Sequence, residues 1–302
     1  MDLSRIPTEP PTHSFLGLEG PDAAFETAGA VLLPVPWEAT TSYGQGTRRG
    51  PAALLDASRY VELYDQELDA EPGLEVGVHT LPALELPRSG AAEAMQALED
   101  HYGAVAEAVG DRFLVMLGGE HAISSPAILA QARRHPGLSV LQMDAHADLR
   151  PSYHGTSYSH ASAMARVLPE VASVVGVGLR GVSAEEVEVH RAHASSTFVW
   201  ADEMQEADAW MDRALDALGD PVYLTFDVDY FDPFLMPSTG TPEPGGGTWY
   251  PTLRFLRRVF QERRVVAADV VELAPVPGFH APDFLAAKLV YKLLGYHSRA
   301  AG

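Results

Sequence analysis

The sequence predicts an α/β fold in which parallel strands are joined by crossover helices. Three observations support this prediction. Short β-branched runs alternate along the chain with longer segments of helical period. Most of these runs are apolar throughout, as strands covered on both faces should be. No linker or repeat divides the 302 residues, which are 46% hydrophobic and 21% charged, so one domain accounts for the chain.

The strand and helix segments can be assigned in order along the chain. Seven apolar runs are predicted as strands: 30–35, 112–117, 138–143, 171–178, 196–200, 221–226 and 264–271. Six segments between them have helical period: 90–109, 125–135, 183–193, 202–218, 250–262 and 284–294. Serine or aspartate opens several of these segments, as is normal for a helix N-cap.

The remaining segments are predicted to be a lead-in and a loop. Residues 1–28 are expected to form a loosely structured N-terminal lead-in, and 29–302 a single domain. Residues 236–248 are so rich in Pro and Gly that we predict a shaped loop. The polar start lacks the apolar segment of a secretory signal, and no apolar run approaches the roughly 18 residues of a membrane span. We therefore expect a cytoplasmic protein that does not engage a membrane.

Composition excludes several kinds of function. The chain has 41 acidic residues against 21 basic ones, a formal charge of −20, whereas a nucleic-acid binder needs a basic face. The absence of cysteine excludes disulfides, thiolate zinc sites and cysteine nucleophiles. The acidic balance suits a small cationic substrate or bound metal ions.

Acidic and imidazole side chains follow four of the predicted strands. In chain order they are His121, the group Asp144, His146 and Asp148, the pair Asp227 and Asp229, and Glu272. Alternate residues of extended backbone point to the same side, so each group can face one direction. Because functional groups in open α/β sheets collect where the strands end, we expect these side chains to share one cleft.

Such a cluster predicts a metal centre. Carboxylates brought together repel and raise each other's pKa unless cations lie among them. Two divalent ions would offset four carboxylates, and an oxygen-rich set with two imidazoles and no sulfur favours Mn²⁺ over structural Zn²⁺. A lone Asp-x-Asp is usually a solvated loop, and a lone histidine is usually a satisfied core residue. Their coincidence at four strand ends favours metal ligands.

Two glycine motifs have competing interpretations. The segment Gly176–Gly181 fits the G-x-G-x-x-G dinucleotide fingerprint, with Asp202 about twenty residues further on. No second βαβ half accompanies it, so we favour tight packing at a strand-to-helix turn. Gly118 and Gly119 are predicted to allow a close backbone approach, because no Lys-Ser/Thr pair follows them as in a phosphate loop.

Five sequence blocks occur in the order GGEH, DAHADLR, SYSHA, TFDVDYFDPFLMPSTGTPEPGG and DVVELAP, after the segment 35–58. Together they resemble the ureohydrolases, the arginase and agmatinase family, and among these the agmatinases most. The segment 35–58 resembles the family's N-terminal signature. The resemblance runs from about residue 30 to 295. It implies a three-layer αβα fold around an eight-stranded, mostly parallel sheet. It also implies two Mn²⁺ ions per chain and hydrolysis of a guanidino group to urea and an amine.

The resemblance further implies a role for each clustered residue. One ion would be surrounded by His121, Asp144, Asp148 and Asp227, and the other by Asp144, His146, Asp227 and Asp229. His160 would exchange protons with solvent at the cleft mouth, with His154 as the alternative for that role. Glu272 would bind the guanidinium of the substrate, and Asp148 would protonate the departing amine.

The substrate predicted from these blocks is agmatine, which would yield putrescine and urea. Gly181 and Ser183 stand where arginases have aspartates that hold an α-amino group, and Arg150 stands where they have asparagine. The charge of Arg150 could also meet an acidic tail, as in guanidinobutyrate or formiminoglutamate hydrolysis, although we favour a structural ion pair. Within the family, aminopropylagmatine and arginine are candidate substrates as well.

Two interpretations from different protein classes stay open. Histone-deacetylase-like amidohydrolases share the broad fold but use a single zinc, whereas His121 and Asp148 complete a second site in this sequence. The second interpretation is a metal-bound scaffold without catalytic activity. The partners we expect are a small cationic guanidino substrate and further copies of the chain in a trimer or hexamer, and no nucleic acid.

Overall fold

A computed structural model of the protein describes residues 13–300. Eight strands form one sheet, and every pair of neighbouring strands is parallel. The strands are β1 (Ala30–Val35), β2 (Val78–Thr80), β3 (Phe113–Gly118), β4 (Ser139–Met143), β5 (Ser173–Leu179), β6 (Ser196–Trp200), β7 (Val222–Asp227) and β8 (Val265–Val271). Their order across the sheet is β2-β1-β3-β8-β7-β4-β5-β6. The predicted α/β fold with a parallel sheet is therefore confirmed.

Helices cover both faces of the sheet. They are α1 (Gly50–Ser58), α2 (Pro72–Val76), α3 (Ala91–Val109), α4 (Ser124–Arg134), α5 (Ala163–Val167), α6 (Ala184–Ala192), α7 (Glu203–Glu206), α8 (Ala209–Ala217), α9 (Trp249–Glu262) and α10 (Ala281–Ala300). One hydrophobic core lies between the sheet and α1, α8, α9 and α10, and a second lies between the sheet and α3, α4 and α5. Alternate residues of a strand serve the two cores: in β1, Leu32 faces the first and Leu33 the second. This arrangement confirms the three-layer αβα architecture.

The predicted strands agree closely with the structure, whereas one predicted helix is broken and three helices were missed. All seven predicted strands are present, with ends shifted by two residues at most. The missed strand β2 has only three residues, too few to show a period. The predicted helix 202–218 is broken because Ala207 has extended backbone (φ −165°, ψ 163°). Helices α1, α2 and α5, of nine, five and five residues, were also missed.

The predicted lead-in 1–28 lies only partly within the structure. Residues 1–12 are outside the described range. In the remainder, Phe15 is fully buried and its backbone N–H donates to Thr80 Oγ1 at 3.0 Å. The division of the chain at residue 28 stays a prediction. Among residues 13–300, no helix combines the length and the apolar character that crossing a membrane would require.

Close packing explains both glycine motifs. A Cβ on Gly119 would lie 1.8 Å from the carbonyl oxygen of Trp37. Gly178 has a φ of +94°, and a Cβ there would lie 2.6 Å from the ring of Tyr230. Both positions therefore require glycine for steric reasons, which supports the packing interpretation over a phosphate cradle.

A histidine on α10 makes stability depend on pH. The ring of His297 stacks on Phe113 with centroids 4.2 Å apart. Burial lowers the pKa of His297 to about 4, although a bond to the backbone of Val265 opposes this. An unfolded histidine titrates near pH 6.5, so the unfolded chain binds more protons in this window. The free energy of unfolding should therefore fall as the pH falls from about 6.5 to about 4.

Replacing His297 with Gln removes this titration. When the pH falls from roughly 7 to roughly 5, we expect the free energy of unfolding of the wild type to decrease by about 2 kcal/mol more than that of the variant. Denaturant unfolding at the two pH values measures the difference. His193→Gln, at an exposed site, is the matched control, and equal pH dependence in wild type and His297→Gln would contradict the prediction.

Candidate metal centre

Four neighbouring strands at the centre of the sheet carry the clustered side chains. In sheet order they are β3, β8, β7 and β4. His121 begins a short 3₁₀ turn after β3, Asp144 follows β4, Asp227 ends β7, and Glu272 follows β8. Because all four strands are parallel, their carboxyl ends meet at one edge. The structure thus brings the sequence-predicted residues into one cleft.

The ring of His121 is the centre of the first group. Its Nδ1 lies 3.0 Å from Asp144 Oδ2, 3.0 Å from Asp148 Oδ2 and 3.3 Å from Asp227 Oδ2. His121, Asp144, Asp148 and Asp227 are all buried. These are the four residues that the sequence resemblance assigns to one ion.

His146 is the centre of the second group. Its Nδ1 lies 2.9 Å from Asp229 Oδ2 and 3.7 Å from Asp144 Oδ1. Asp144 therefore belongs to both groups, as expected of a bridging ligand. Asp227 Oδ1 accepts the backbone N–H of Asp229 at 2.8 Å, which places Asp227 beside both groups. The geometry of His121, Asp144 and Asp148, and that of Asp144, His146 and Asp229, could each hold a metal ion.

The crowding of the carboxylates shifts their pKa values. Burial and the charge of Asp229 raise the pKa of Asp144. Burial and the charge of Asp144 raise the pKa of Asp148 to about 7. Burial also raises the pKa of Asp229, but the charge of His146 and its hydrogen bond to Asp229 lower that pKa to about 2. Cations among these oxygens would remove the repulsion.

The orientation of the His121 ring fits a metal ion. Its Nε2 lies 2.9 Å from Thr225 Oγ1, and the Thr225 hydroxyl donates to Asp269 Oδ1 at 2.7 Å. Thr225 must then accept the N–H of Nε2, so Nδ1 is the ring atom directed at the carboxylates. Burial lowers the pKa of His121, but its bonds with Asp144, Asp148 and Asp227 raise that pKa well above the usual value. The carboxylates therefore favour a cation at Nδ1, and a metal ion would take the place of the proton.

Glu272 lies at the base of the cleft. Its side chain is buried, and Oε1 accepts the backbone N–H of His121 at 2.6 Å. Its φ is +65°, and Asp148 likewise has a φ of +52°. Non-glycine residues adopt this region rarely and at an energetic cost, which folds accept mainly at functional sites. The backbone is thus held in a strained form at two of the three predicted catalytic residues.

The structure distinguishes the two histidines considered for proton exchange. His160 lines the cleft together with His121 and Glu272, whereas His154 is exposed, with its ring tilted against that of Tyr153 at 4.3 Å between centroids. Burial lowers the pKa of His160 to about 4, so the ring is neutral near pH 7. This position favours His160 over His154.

Arg150 has a structural partner. Its Nε lies 3.9 Å from Glu186 Oε2, and its guanidinium lies over the ring of Tyr153, 5.3 Å from the centroid. Glu186 also forms a capping box with Ser183 at the start of α6. The ion pair favoured from the sequence is therefore present, and it offsets the charge that an acidic substrate tail would need.

Above the cluster is a cavity of about 450 Å³, within the usual size of small-molecule sites. One carboxylate on its wall, Glu243, was missed by the sequence reasoning. A Cβ on Gly181 would lie 2.7 Å from the ring of His146 and 3.3 Å from Glu243 Cγ, so Glu243 lies beside His146. Arg180 donates to the carbonyl oxygens of Glu243 and Asp229 at 2.9 and 2.7 Å. The lack of space also explains why Gly181, rather than an aspartate, occupies this turn.

Further supporting residues were missed as well. Thr225 and Asp269 are polar residues in otherwise apolar strands, and this signal in the sequence could have identified them. Glu120 contacts Thr40, which in turn contacts His160, but Thr40 and Glu120 are 80 residues apart in the chain. No local pattern connects them.

Comparison with known proteins places the chain in a family. A model of the Arginase family matches residues 28–295. An N(1)-aminopropylagmatine ureohydrolase from Synechocystis is 39% identical over 277 residues, covering 90% of each chain. An agmatinase from Bacillus cereus is 33% identical and covers 84% of this chain and 86% of its own. The agmatine ureohydrolase structure of Thermoplasma volcanium superposes with a TM-score of 0.82 at 28% identity, over 92% of this chain and 93% of that one. The chain therefore belongs to the arginase family, as the sequence motifs predicted, and is a ureohydrolase.

Proposed function

We propose that the protein uses two Mn²⁺ ions to hydrolyse the guanidino group of a cationic guanidinoalkylamine to urea and the free amine. The observation that carries this proposal is the position of His121 Nδ1, which has carboxylate oxygens of Asp144, Asp148 and Asp227 within 3.3 Å. His146 and Asp229 supply the remaining ligands of the second ion. Oxygen ligands with two imidazoles and no thiolate favour Mn²⁺.

Each part of the cleft has a task in this reaction. A bound pair of divalent ions would lower the pKa of water enough to supply a nucleophile near neutral pH. Glu272 binds the guanidinium, because a carboxylate makes paired charge-assisted hydrogen bonds to that planar cation. Asp148 is in position to protonate the departing amine, and the neutral ring of His160 exchanges protons with solvent.

The identity of the amine tail is a finer part of the proposal. Agmatine is the substrate predicted from the sequence motifs, with aminopropylagmatine as an alternative. The relative named for the aminopropyl compound is 39% identical to this chain, compared with 33% for the agmatinase. This difference favours N1-aminopropylagmatine, with agmatine as the second candidate. Both carry the positive charge that the acidic cleft selects.

A steady-state comparison tests the proposal. Agmatine, N1-aminopropylagmatine, arginine and guanidinobutyrate are supplied to the Mn²⁺-loaded protein, and urea release is measured. We expect the two cationic amines to give the highest kcat/KM, with the aminopropyl compound first. Absence of urea release from every substrate would overturn the proposal. A preference for guanidinobutyrate would overturn the assignment of a substrate with a cationic tail.

Glu243 should contribute to binding the cationic tail. Its carboxylate is the one on the described cavity wall that we assign neither to the metal ions, nor to the guanidinium, nor to the ion pair of Arg150. We expect Glu243→Gln to raise KM for agmatine and its aminopropyl derivative roughly fivefold with little change in kcat. Glu185→Gln, an exposed position on α6, is the control. An equal effect in both variants, or none in Glu243→Gln, would remove this residue from the binding site.

A further inference from the structure

A line of hydrogen bonds connects a buried carboxylate to the ring of His160. Glu120 is fully buried, and its Oε2 accepts the backbone N–H groups of Ala39 and Thr40, each at 2.7 Å. Its Oε1 accepts the Thr40 hydroxyl at 2.8 Å. Thr40 Oγ1 in turn lies 3.2 Å from His160 Nδ1. The three side chains come from the segment after β1, the turn after β3 and the start of the 3₁₀ turn at His160.

The single proton of the Thr40 hydroxyl decides which group donates and which accepts in each of these hydrogen bonds. Two backbone N–H groups donate to Oε2 of Glu120 and the Thr40 hydroxyl lies on Oε1, an arrangement that stabilises the ionised carboxylate. A carboxylate only accepts hydrogen bonds, so the hydroxyl donates to Glu120. The Thr40 oxygen is then left to accept from its two remaining neighbours. One of them is the backbone N–H of His160, at 3.1 Å, and the second must be a proton on His160 Nδ1. The neutral ring then has its lone pair on Nε2.

We propose that Thr40 and Glu120 are positioning residues that hold His160 in the Nδ1–H tautomer and keep its Nε2 free to accept a proton in the cleft. Ser42 Oγ lies 3.4 Å from that Nε2, where its hydroxyl can donate to the lone pair. Thr40 contacts both the ring and the backbone of His160, so it also sets the orientation of the ring. The catalytic role of His160 rests on the proposed function, whereas the tautomer does not.

Removal of the hydroxyl is the first test. Thr40→Val keeps the shape of the side chain but can neither accept from Nδ1 nor donate to Glu120. We expect kcat to fall roughly tenfold, with KM for the best substrate and manganese content unchanged. Thr40→Ser restores the hydroxyl and should restore kcat. A kcat that is unaffected in Thr40→Val, or that Thr40→Ser fails to restore, would overturn the positioning role.

A variant that reverses the direction of these hydrogen bonds is the sharper test. In Glu120→Gln the amide oxygen must take the place that accepts two backbone N–H groups, so the amide NH₂ points at Thr40. The Thr40 hydroxyl then donates to His160 Nδ1 and forces the proton of the ring onto Nε2. We expect the tautomer to invert and kcat to fall, while Thr40→Ser keeps the wild-type tautomer.

The tautomer can be read directly from ¹⁵N-histidine-labelled, Mg²⁺-loaded protein by the two ring nitrogen shifts, with His160→Asn to assign the signals. A wild-type ring protonated on Nε2 would refute the inference without reference to any activity. If instead the wild type releases no urea from any substrate but shows the Nδ1–H ring, the proposed function fails and the tautomer inference stands. The wild-type measurement requires no variant to fold.

Discussion

Replacement of Asp227 with Asn is expected to remove both bound metal and activity. Asp227 Oδ2 lies 3.3 Å from His121 Nδ1, while its Oδ1 is held by the backbone N–H of Asp229. Asparagine has nearly the same shape but lacks the negative charge that both ions would share. Because the bound ions would supply the nucleophile in the proposed reaction, we expect kcat/KM to fall by roughly a thousandfold or more.

Metal per chain and urea release, measured on the same preparation, check this prediction. Asp216→Asn removes one carboxylate from the exposed face of α8 and serves as the control for lost charge. Near wild-type manganese content in Asp227→Asn would show that the ligand assignment is wrong. A normal metal content in Asp216→Asn, with full activity, is the expected control result.

Glu272→Gln is expected to remove activity while metal stays bound. The carboxylate is buried beneath the cavity and Oε1 is already occupied by the N–H of His121. Glutamine can keep that hydrogen bond, but a neutral amide cannot make paired charge-assisted bonds to a guanidinium. We expect a loss of roughly 10² to 10³ in kcat/KM.

Metal analysis separates this effect from that of Asp227→Asn, because Glu272 lies outside the two proposed ligand groups. Loss of manganese in Glu272→Gln would instead assign the residue to the metal centre. Unchanged kcat/KM would mean that the guanidinium is bound elsewhere. Together the two variants test whether the metal ligands and the substrate carboxylate are separate, as the structure arranges them.

Local sequence patterns were sufficient to predict much of this molecule. Strands such as 30–35 and 113–118 are continuous apolar runs, and burial on both faces requires that pattern. Asp144, His146 and Asp148 alternate directly after such a run, and this spacing predicted that they share a cleft. They nevertheless follow the strand rather than continue it, and Asp148 has a φ of +52°. The elements that escaped prediction are β2 with three residues, α2 and α5 with five each, and α1 with nine. Their stability comes from packing rather than from a repeating pattern.

By itself, the sequence determined the α/β class, the residues with metal-ligand chemistry and the absence of thiolate sites, because side-chain type and local period record these properties. Only the tertiary structure decided that β3, β8, β7 and β4 are neighbours, which is why His121 meets Asp144 and Asp227. It also decided that Thr225 binds His121 Nε2, so that Nδ1 faces the carboxylates, and that Glu120 contacts Thr40, which contacts His160. Strand order and hydrogen-bond direction depend on contacts between distant parts of the chain, which no short-range pattern contains.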